Sequence, residues 1–186
     1  MRIISGTLKG KSIKFLKNST TRPLKDAVRE SIFNILKHSN LINIEIENSN
    51  ILDLYSGIGS FGLESISRGA KEVTFIEQDK KASNILKENL INFSATNKAT
   101  LINSKIEDFL NRNKRKKYNI FFLDPPFTDK EFIQSLDTIK NNKIYEKKHI
   151  VVIHRERKSD DDLDKFINIT AAKHYGRSKI IFGVFS

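Results

Sequence analysis

Residues 52–62 read LDLYSGIGSFG, a short apolar run interrupted by one carboxylate, Asp53, and followed by Gly57, Gly59 and Gly62 in the spacing G-x-G-x-x-G. The run closes a strand-like piece at 50–55, and the glycines lead into a helical pattern at 60–68, so they stand at a strand-to-helix turn. Glycine lets such a turn tighten and lets its backbone approach a ligand closely. Twenty residues beyond Gly57, at the end of the strand-like run EVTFIE (72–77), stands Glu77, placed to accept hydrogen bonds from ribose hydroxyls. A nucleoside-containing cofactor follows. Its candidate contacts are Asp53, Tyr55, Ser56, Gly57 and Gly59 on the first turn, with Glu77 and Gln78 on the second.

Outward from this turn, strand-like and helix-like pieces alternate. Strands are predicted at 50–55, 72–77, 99–103, 118–123, 149–154, 168–174 and 179–185, with helical patterns at 60–68, 80–93, 105–112 and 130–140. That alternation argues for an α/β fold with a mostly parallel seven-stranded sheet, helices on both faces, and two closing strands joined as a hairpin. Ahead of it, RIISGTLKGKSIKFL reads as a small β-hairpin, and TRPLKDAVRESIFNILKH as an amphipathic helix with Pro23 near its start. The expected organisation is one domain over 1–186: a basic hairpin and helix at 1–40 and a Rossmann-like core at 50–186. Ligands of such sheets bind outside the carboxyl ends of the strands, where the winding reverses.

The glycine pattern alone fits a nicotinamide dinucleotide as well. Two features favour S-adenosylmethionine. Asp53 lies four residues before the first glycine, and an acid there suits an ammonium and a sulfonium better than a pyrophosphate. The chain also has little room for the substrate domain many dehydrogenases carry. The plainer role for Asp53 is a polar strand end that caps the turn.

A second turn carries chemistry. In FFLDPPF (121–127) a buried-looking strand runs into an acid and two prolines, which can neither continue a paired strand nor start a helix. The fourth strand of a doubly wound sheet lies beside the first, so Asp124, Pro125, Pro126 and Phe127 are expected to face the reactive end of the cofactor. An exocyclic amine on a nucleobase is a poor nucleophile because its lone pair is delocalised into the ring. If Asp124 and the Pro125 carbonyl each accept one N–H, that lone pair is freed towards a methyl donor, by preorganisation rather than acid–base strength. Phe127 offers a face for an unstacked base. Its plainer role is to plug the end of the sheet.

The 186 residues are 38% hydrophobic and 30% charged, a globular balance without repeats or low-complexity tracts. No apolar run approaches the roughly 20 residues that cross a membrane, and the start lacks a signal-peptide core, so a cytoplasmic protein is expected. Without cysteine there is no disulfide, thiolate metal site or thiol nucleophile; His38, His149, His154 and His174 show no metal spacing, and no metal is expected. His154, at a strand end, reads as structural. The net charge of +11 is uneven: residues 1–40 hold nine Lys/Arg against Asp26 and Glu30, a net of +7. A basic end on a weakly charged body points to a polyanion, because cations on phosphates release counterions. The alternative is a solubilising surface.

The motifs together resemble a known family. RIISGTLKGK, TRPLKDAVRESIFNIL, LDLYSGIGSFGLESISRGA, IEQD and LDPPF stand in the order and spacing of the RsmD-type ribosomal RNA guanine-N2 methyltransferases, within the amino-methyltransferases marked by [N/D]-P-P-[Y/F]. The resemblance covers the chain to about residue 155. It implies methylation of one guanine's N2 amine in 16S rRNA, free or in an assembling small subunit, with S-adenosylmethionine as donor and a class I Rossmann-like fold. It makes Asp124–Phe127 the base-binding motif, and Arg2, Lys9, Lys11, Arg22 and Arg29 candidates for RNA contact. One departure falls at Lys105-Ile106, where the family has Asn or Asp followed by Ala; lysine cannot accept the adenine amine, which leaves the backbone of Ile106, or Ser104 or Asp108, to serve. Three rivals use the same residues differently: an adenine-N6 DNA methyltransferase, a protein-glutamine methyltransferase, and a non-catalytic RNA-binding or assembly factor. The first generally needs a further recognition domain, the second usually has Asn and Tyr where Asp124 and Phe127 stand, and the third predicts decayed motifs. A monomer is expected.

Overall fold

The computed structural model describes residues 1–15, 24–40, 42, 44–113 and 115–186. Seven strands, β1 (Asn50–Leu54), β2 (Glu72–Ile76), β3 (Ala99–Ile102), β4 (Tyr118–Leu123), β5 (Tyr145–Glu156), β6 (Ile167–Tyr175) and β7 (Ser178–Phe185), form one sheet in the order β3-β2-β1-β4-β5-β7-β6. The first five run parallel. β7 runs antiparallel to β5 and to β6, so the closing hairpin adds its second strand against the sheet and leaves β6 as the edge. The winding reverses between β1 and β4, as the alternating pattern predicted.

The inner strands are apolar along their length because helices cover both faces. Alternate residues separate the two layers. Ile51, Val73, Phe75, Ile120, Phe122 and Val152 pack with α1 (Asp26–His38), α2 (Ser60–Ser67) and α3 (Lys80–Asn92), where the Phe33, Phe61 and Phe122 rings stack with centroids 5.0 and 4.0 Å apart. Leu52, Leu54, Phe121, Leu123, Val151 and Ile153 pack with α4 (Ile106–Arg112) and α5 (Phe132–Asn142). Burial of this kind contributes about 25 cal/mol per Å² of apolar surface removed from water, and it holds the strand ends in fixed register.

Element ends differ from expectation where side chains cap the chain. α5 starts at Phe132 rather than at 130, because Asp129 Oδ1 accepts the Glu131 and Phe132 N–H groups at 2.7 and 3.2 Å and fixes the first turn there. β5 begins at Tyr145, four residues early, through a register shift opposite Tyr118 and Ile120. α1 begins at Asp26, and Pro23 lies outside the described residues.

Among the described residues the predicted N-terminal hairpin is a single antiparallel bridge, Arg2 with Ser12, supported by the Ile3 N–H to Lys11 O bond at 2.9 Å and the Ile13 N–H to Met1 O bond at 3.1 Å. It is docked, not free: Ile3 and Ile13 are core residues, and the Ile4 and Ser5 N–H groups donate to the two oxygens of Glu64 in α2 at 2.8 and 3.0 Å. Asn89 in α3 accepts the Lys14 N–H at 2.9 Å and donates to the carbonyls of Lys14 and Ile58, tying the same segment to the glycine loop.

Candidate active site

Register alone gathers the site. Leu54 pairs with Ile76 on one side and with Leu123 on the other, so the residues that follow β1, β2 and β4 leave the sheet side by side. Tyr55–Gly59, Glu77 and Asp124–Phe127 therefore converge at the switch point.

The glycine loop is held from two directions. Ser56 donates its hydroxyl to Asp53 O at 2.6 Å and its N–H to Ile76 O at 3.0 Å. Gly57 N–H donates to Glu77 Oε2 at 2.7 Å, and Glu77 Oε1 accepts the Asp79 N–H at 2.7 Å, so the β2 carboxylate latches the β1 loop. An added Cβ at Gly57, where φ is +55°, meets nothing within 4 Å: the loop presents bare backbone to open space. Gly62 shows the opposite constraint. Its added Cβ would lie 2.1 Å from the Phe75 ring and 2.9 Å from Asp53 Oδ2. Gly62→Ala is therefore expected to lower stability by about 1–3 kcal/mol through overpacking. Thermal denaturation beside cofactor titration checks this, since the displaced loop should lose affinity as well.

Asp53 requires a correction. It is 1% exposed, and its Oδ2 accepts the Gly62 N–H at 3.0 Å. It braces the loop from beneath, as the cap at the start of α2, and does not present a carboxylate to a ligand. Burial pushes its carboxyl well above the usual range, with the charges of Asp124 and Glu77 adding and the Gly62 N–H opposing. Glu77 is raised as well, by burial, against the pull of the Asp79 and Gly57 N–H groups. Of these three acids only Glu77 and Asp124 are partly exposed, and Asp53 lies beneath the loop.

Tyr55, with φ +61°, links the two loops by donating its hydroxyl to Asp129 Oδ2 at 3.0 Å. Burial first, and then the charge of Asp129, raises its phenol above the ordinary range. Gln78 is exposed, and its carbonyl accepts from Asn103 Nδ2, which also donates to Glu77 O at 2.7 Å. Ile106 turns its side chain into the core at the start of α4, which leaves only its backbone for a ligand.

Within the second motif, Pro125 is buried while Phe127 is 42% exposed, so the ring does not plug the sheet end. The Pro126 carbonyl accepts from Asp129 N–H at 2.9 Å and from Arg155 Nη1 at 3.0 Å, and the Phe127 carbonyl from Arg155 Nη2 at 3.2 Å. The Pro125 carbonyl accepts no hydrogen bond from the described residues. Arg155 is itself fixed, buried over the Phe132 ring and paired with Asp161 at 2.8 Å. Burial alone would raise the Asp161 carboxyl, but the Arg155 bonds and charge hold it below the usual range. Asp124 places Oδ1 2.7 Å from His154 Nδ1. The sequence singles out neither Arg155, Asp129 nor Asn103, and reads His154 as structural, because their partners in the site lie on loops distant in sequence.

The proposed RNA residues divide. Arg2, Lys9 and Lys11 are exposed, the first two lining a cleft with Asp26 and Glu30. Arg29 is fully buried and cannot reach RNA. Its Nη2 donates to Arg2 O and pairs with Asp26 at 3.1 Å, and its Nε lies 3.7 Å from Glu64. Arg22 lies outside the described residues. Among the described residues no helix is long and apolar enough to cross a membrane, and no group of three or more acids and histidines is placed to hold a metal.

Known proteins share this layout. The family model described as Conserved hypothetical protein 95 matches residues 1–184. The Ribosomal RNA small subunit methyltransferase D of Haemophilus influenzae is 33% identical over 159 residues, covering 84% of this chain and 79% of that protein. The protein of the same name from Escherichia coli K12 is 34% identical over 142 residues, covering 76% and 68%. The solved structure of yhhF from Escherichia coli matches with TM-score 0.81 and 28% identity, over 100% of this chain and 98% of that one. A match along nearly the whole sequence, with relatives a third identical over most of both chains, shows that the chain belongs to the RsmD family of ribosomal RNA small subunit methyltransferases.

Proposed function

We propose that this protein uses S-adenosylmethionine to methylate the exocyclic N2 amine of a guanine in small-subunit (16S) rRNA, free or in an assembling subunit, acting in the cytoplasm as a monomer. One observation carries the reading: beside a glycine loop open to a ligand, Asp124 and the Pro125 carbonyl stand as neighbouring acceptors while the next two carbonyls are tied by Arg155. The family relatives, named for the small ribosomal subunit, supply the substrate class.

The residues fit the cofactor. Bare backbone at Gly57 leaves room for its amino-acid end, and the partly buried Glu77 carboxylate suits the ribose hydroxyls. S-adenosylmethionine supplies an electrophilic methyl group, whose bonding pair stays on sulfur. Asp124 and the Pro125 O each accept one N–H of the amine, directing its lone pair away from the base plane. Phe127 stacks the unstacked guanine, and Arg155 keeps the loop rigid so that no reorganisation accompanies the reaction. Asp124, 24% exposed, takes the proton that nitrogen loses once its bond to carbon has formed and returns it to water.

Transfer of labelled methyl to small-subunit RNA, with duplex DNA as control, tests the reading. Label in RNA is expected, and label in DNA alone would move the assignment to the adenine-N6 chemistry. The docked basic segment gives a separate expectation. Charge removal at Arg2, Lys9 and Lys11 together should weaken RNA binding and reduce the slope of log affinity against log salt by about 0.7–0.9 per lost phosphate contact. An unchanged slope takes this segment off the RNA face.

A further inference from the structure

β5 carries a histidine into the site that methyl transfer, as described, does not use. Leu123 pairs with Ile153, so the next residues on the two strands, Asp124 and His154, stand opposite each other as the chain leaves the sheet. Both ring nitrogens are engaged: Nδ1 lies 2.7 Å from Asp124 Oδ1, and Nε2 lies 2.8 Å from Ser178 Oγ at the start of β7. The ring also meets Phe127 edge to face, with centroids 5.5 Å apart, and its side chain is only 10% exposed.

Such a ring has one orientation, and because the Asp124 carboxylate can only accept, the neutral tautomer carries its proton on Nδ1 and the Ser178 hydroxyl rotates to donate to Nε2. That proton can only be donated to Asp124. An aspartate at a loop start, beside other acids, has two torsions to wander through. Anchoring one oxygen leaves the other aimed. We infer that His154 is a positioning residue, which fixes Asp124 by its Nδ1–H so that Oδ2 stays directed at the incoming amine, with Ser178 holding the far side of the ring. This rests on the function proposed above. Misplacing a reacting group by about 1 Å can cost about 100-fold in rate.

Substitution separates orientation from mere packing. Asparagine can place a donor near Nδ1 and glutamine one near Nε2, so only His154→Asn can keep the bond to Asp124. The expected result is that His154→Ala lowers kcat by up to about 100-fold with KM for S-adenosylmethionine unchanged. His154→Asn should recover most of that loss, His154→Gln should not, and the melting temperatures of all three should be similar. Equal activity of the asparagine and glutamine variants, or a kcat loss that simply follows the melting temperature, overturns the inference. So does wild-type kcat in His154→Ala. Asp124→Ala in the same assay separates the two levels: if it is inactive while His154→Ala keeps wild-type kcat, only the positioning role fails, and if it remains active the functional reading fails with it.

Discussion

Asp124→Ala should abolish detectable methyl transfer, with kcat down by at least about 10²–10³, the cost of deleting one preorganised partner of the reacting group. The same variant should bind S-adenosylmethionine within about threefold of wild type. The separation follows from the layout. The contacts assigned to the cofactor come from the β1 and β2 ends, where Gly57 and Glu77 hold one another at 2.7 Å without help from Asp124. Asp124 belongs to the next strand, and its polar side-chain partner is His154. Single-turnover kinetics with calorimetric cofactor titration measures both. Comparable loss of cofactor affinity would mean that Asp124 supports the pocket as a whole and is not selective for the amine. The stable fold of the variant is expected, because the group removed is partly exposed and leaves no buried charge unpaired.

Glu64→Ala should be the most destabilising single change outside the apolar core. Glu64 is fully buried on α2 and serves two roles at once. Its oxygens accept the Ile4 and Ser5 N–H groups, and its charge faces Arg68 Nε at 2.8 Å and the buried Arg29 Nε at 3.7 Å. Removing one member of a buried ion pair costs about 3–5 kcal/mol, because the other charge is left in a low-dielectric site. For a chain of this size that is roughly 6–20 °C in melting temperature. Asp26 offers Arg29 partial compensation at 3.1 Å, so the lower half of the range applies if it moves closer. Thermal denaturation measures the shift. A change under about 1 kcal/mol, the usual size for an exposed pair, would contradict the burial and show that the N-terminal segment is held by its apolar residues alone. Charge-removing variants aimed at RNA binding should therefore avoid Arg29 and Glu64, whose loss would imitate weak binding through unfolding.

The sheet was legible because its signal is local. Ile51, Leu52 and Leu54, or Phe121, Phe122 and Leu123, are apolar on both faces and break at glycine or proline, which is how a central parallel strand reads. The two loops at the switch point were legible for the same reason, since strand ends and their register follow once the strands are known. What could not be read depends on partners far apart in sequence. His154 reaches Asp124 across 30 residues, Arg155 reaches Phe127 across 28, and nothing in VVIHRER marks either for that use. Arg29 was misplaced because an arginine on an amphipathic helix is ordinarily a surface charge. A signal did exist in SFGLESIS, where one glutamate sits in a helix whose every residue is buried. A lone acid in so buried a setting calls for donors and cations, and it meets Arg68 at 2.8 Å, the buried Arg29 at 3.7 Å and the Ile4 and Ser5 N–H groups. Asp53 was read as a ligand for the same general reason. An acid at a strand end has two uses, and only the Gly62 N–H at 3.0 Å distinguishes them.

The identity of the methylated nucleoside tests guanine-N2 methylation most directly. Protein, methyl-labelled S-adenosylmethionine and unmethylated small ribosomal subunits or their 16S RNA are incubated together, the RNA is digested to nucleosides, and the labelled product is identified. Label in N2-methylguanosine is expected, lost with Asp124→Ala. Label in N6-methyladenine of a DNA control, or no label in any nucleic acid under conditions where the cofactor binds, would contradict it.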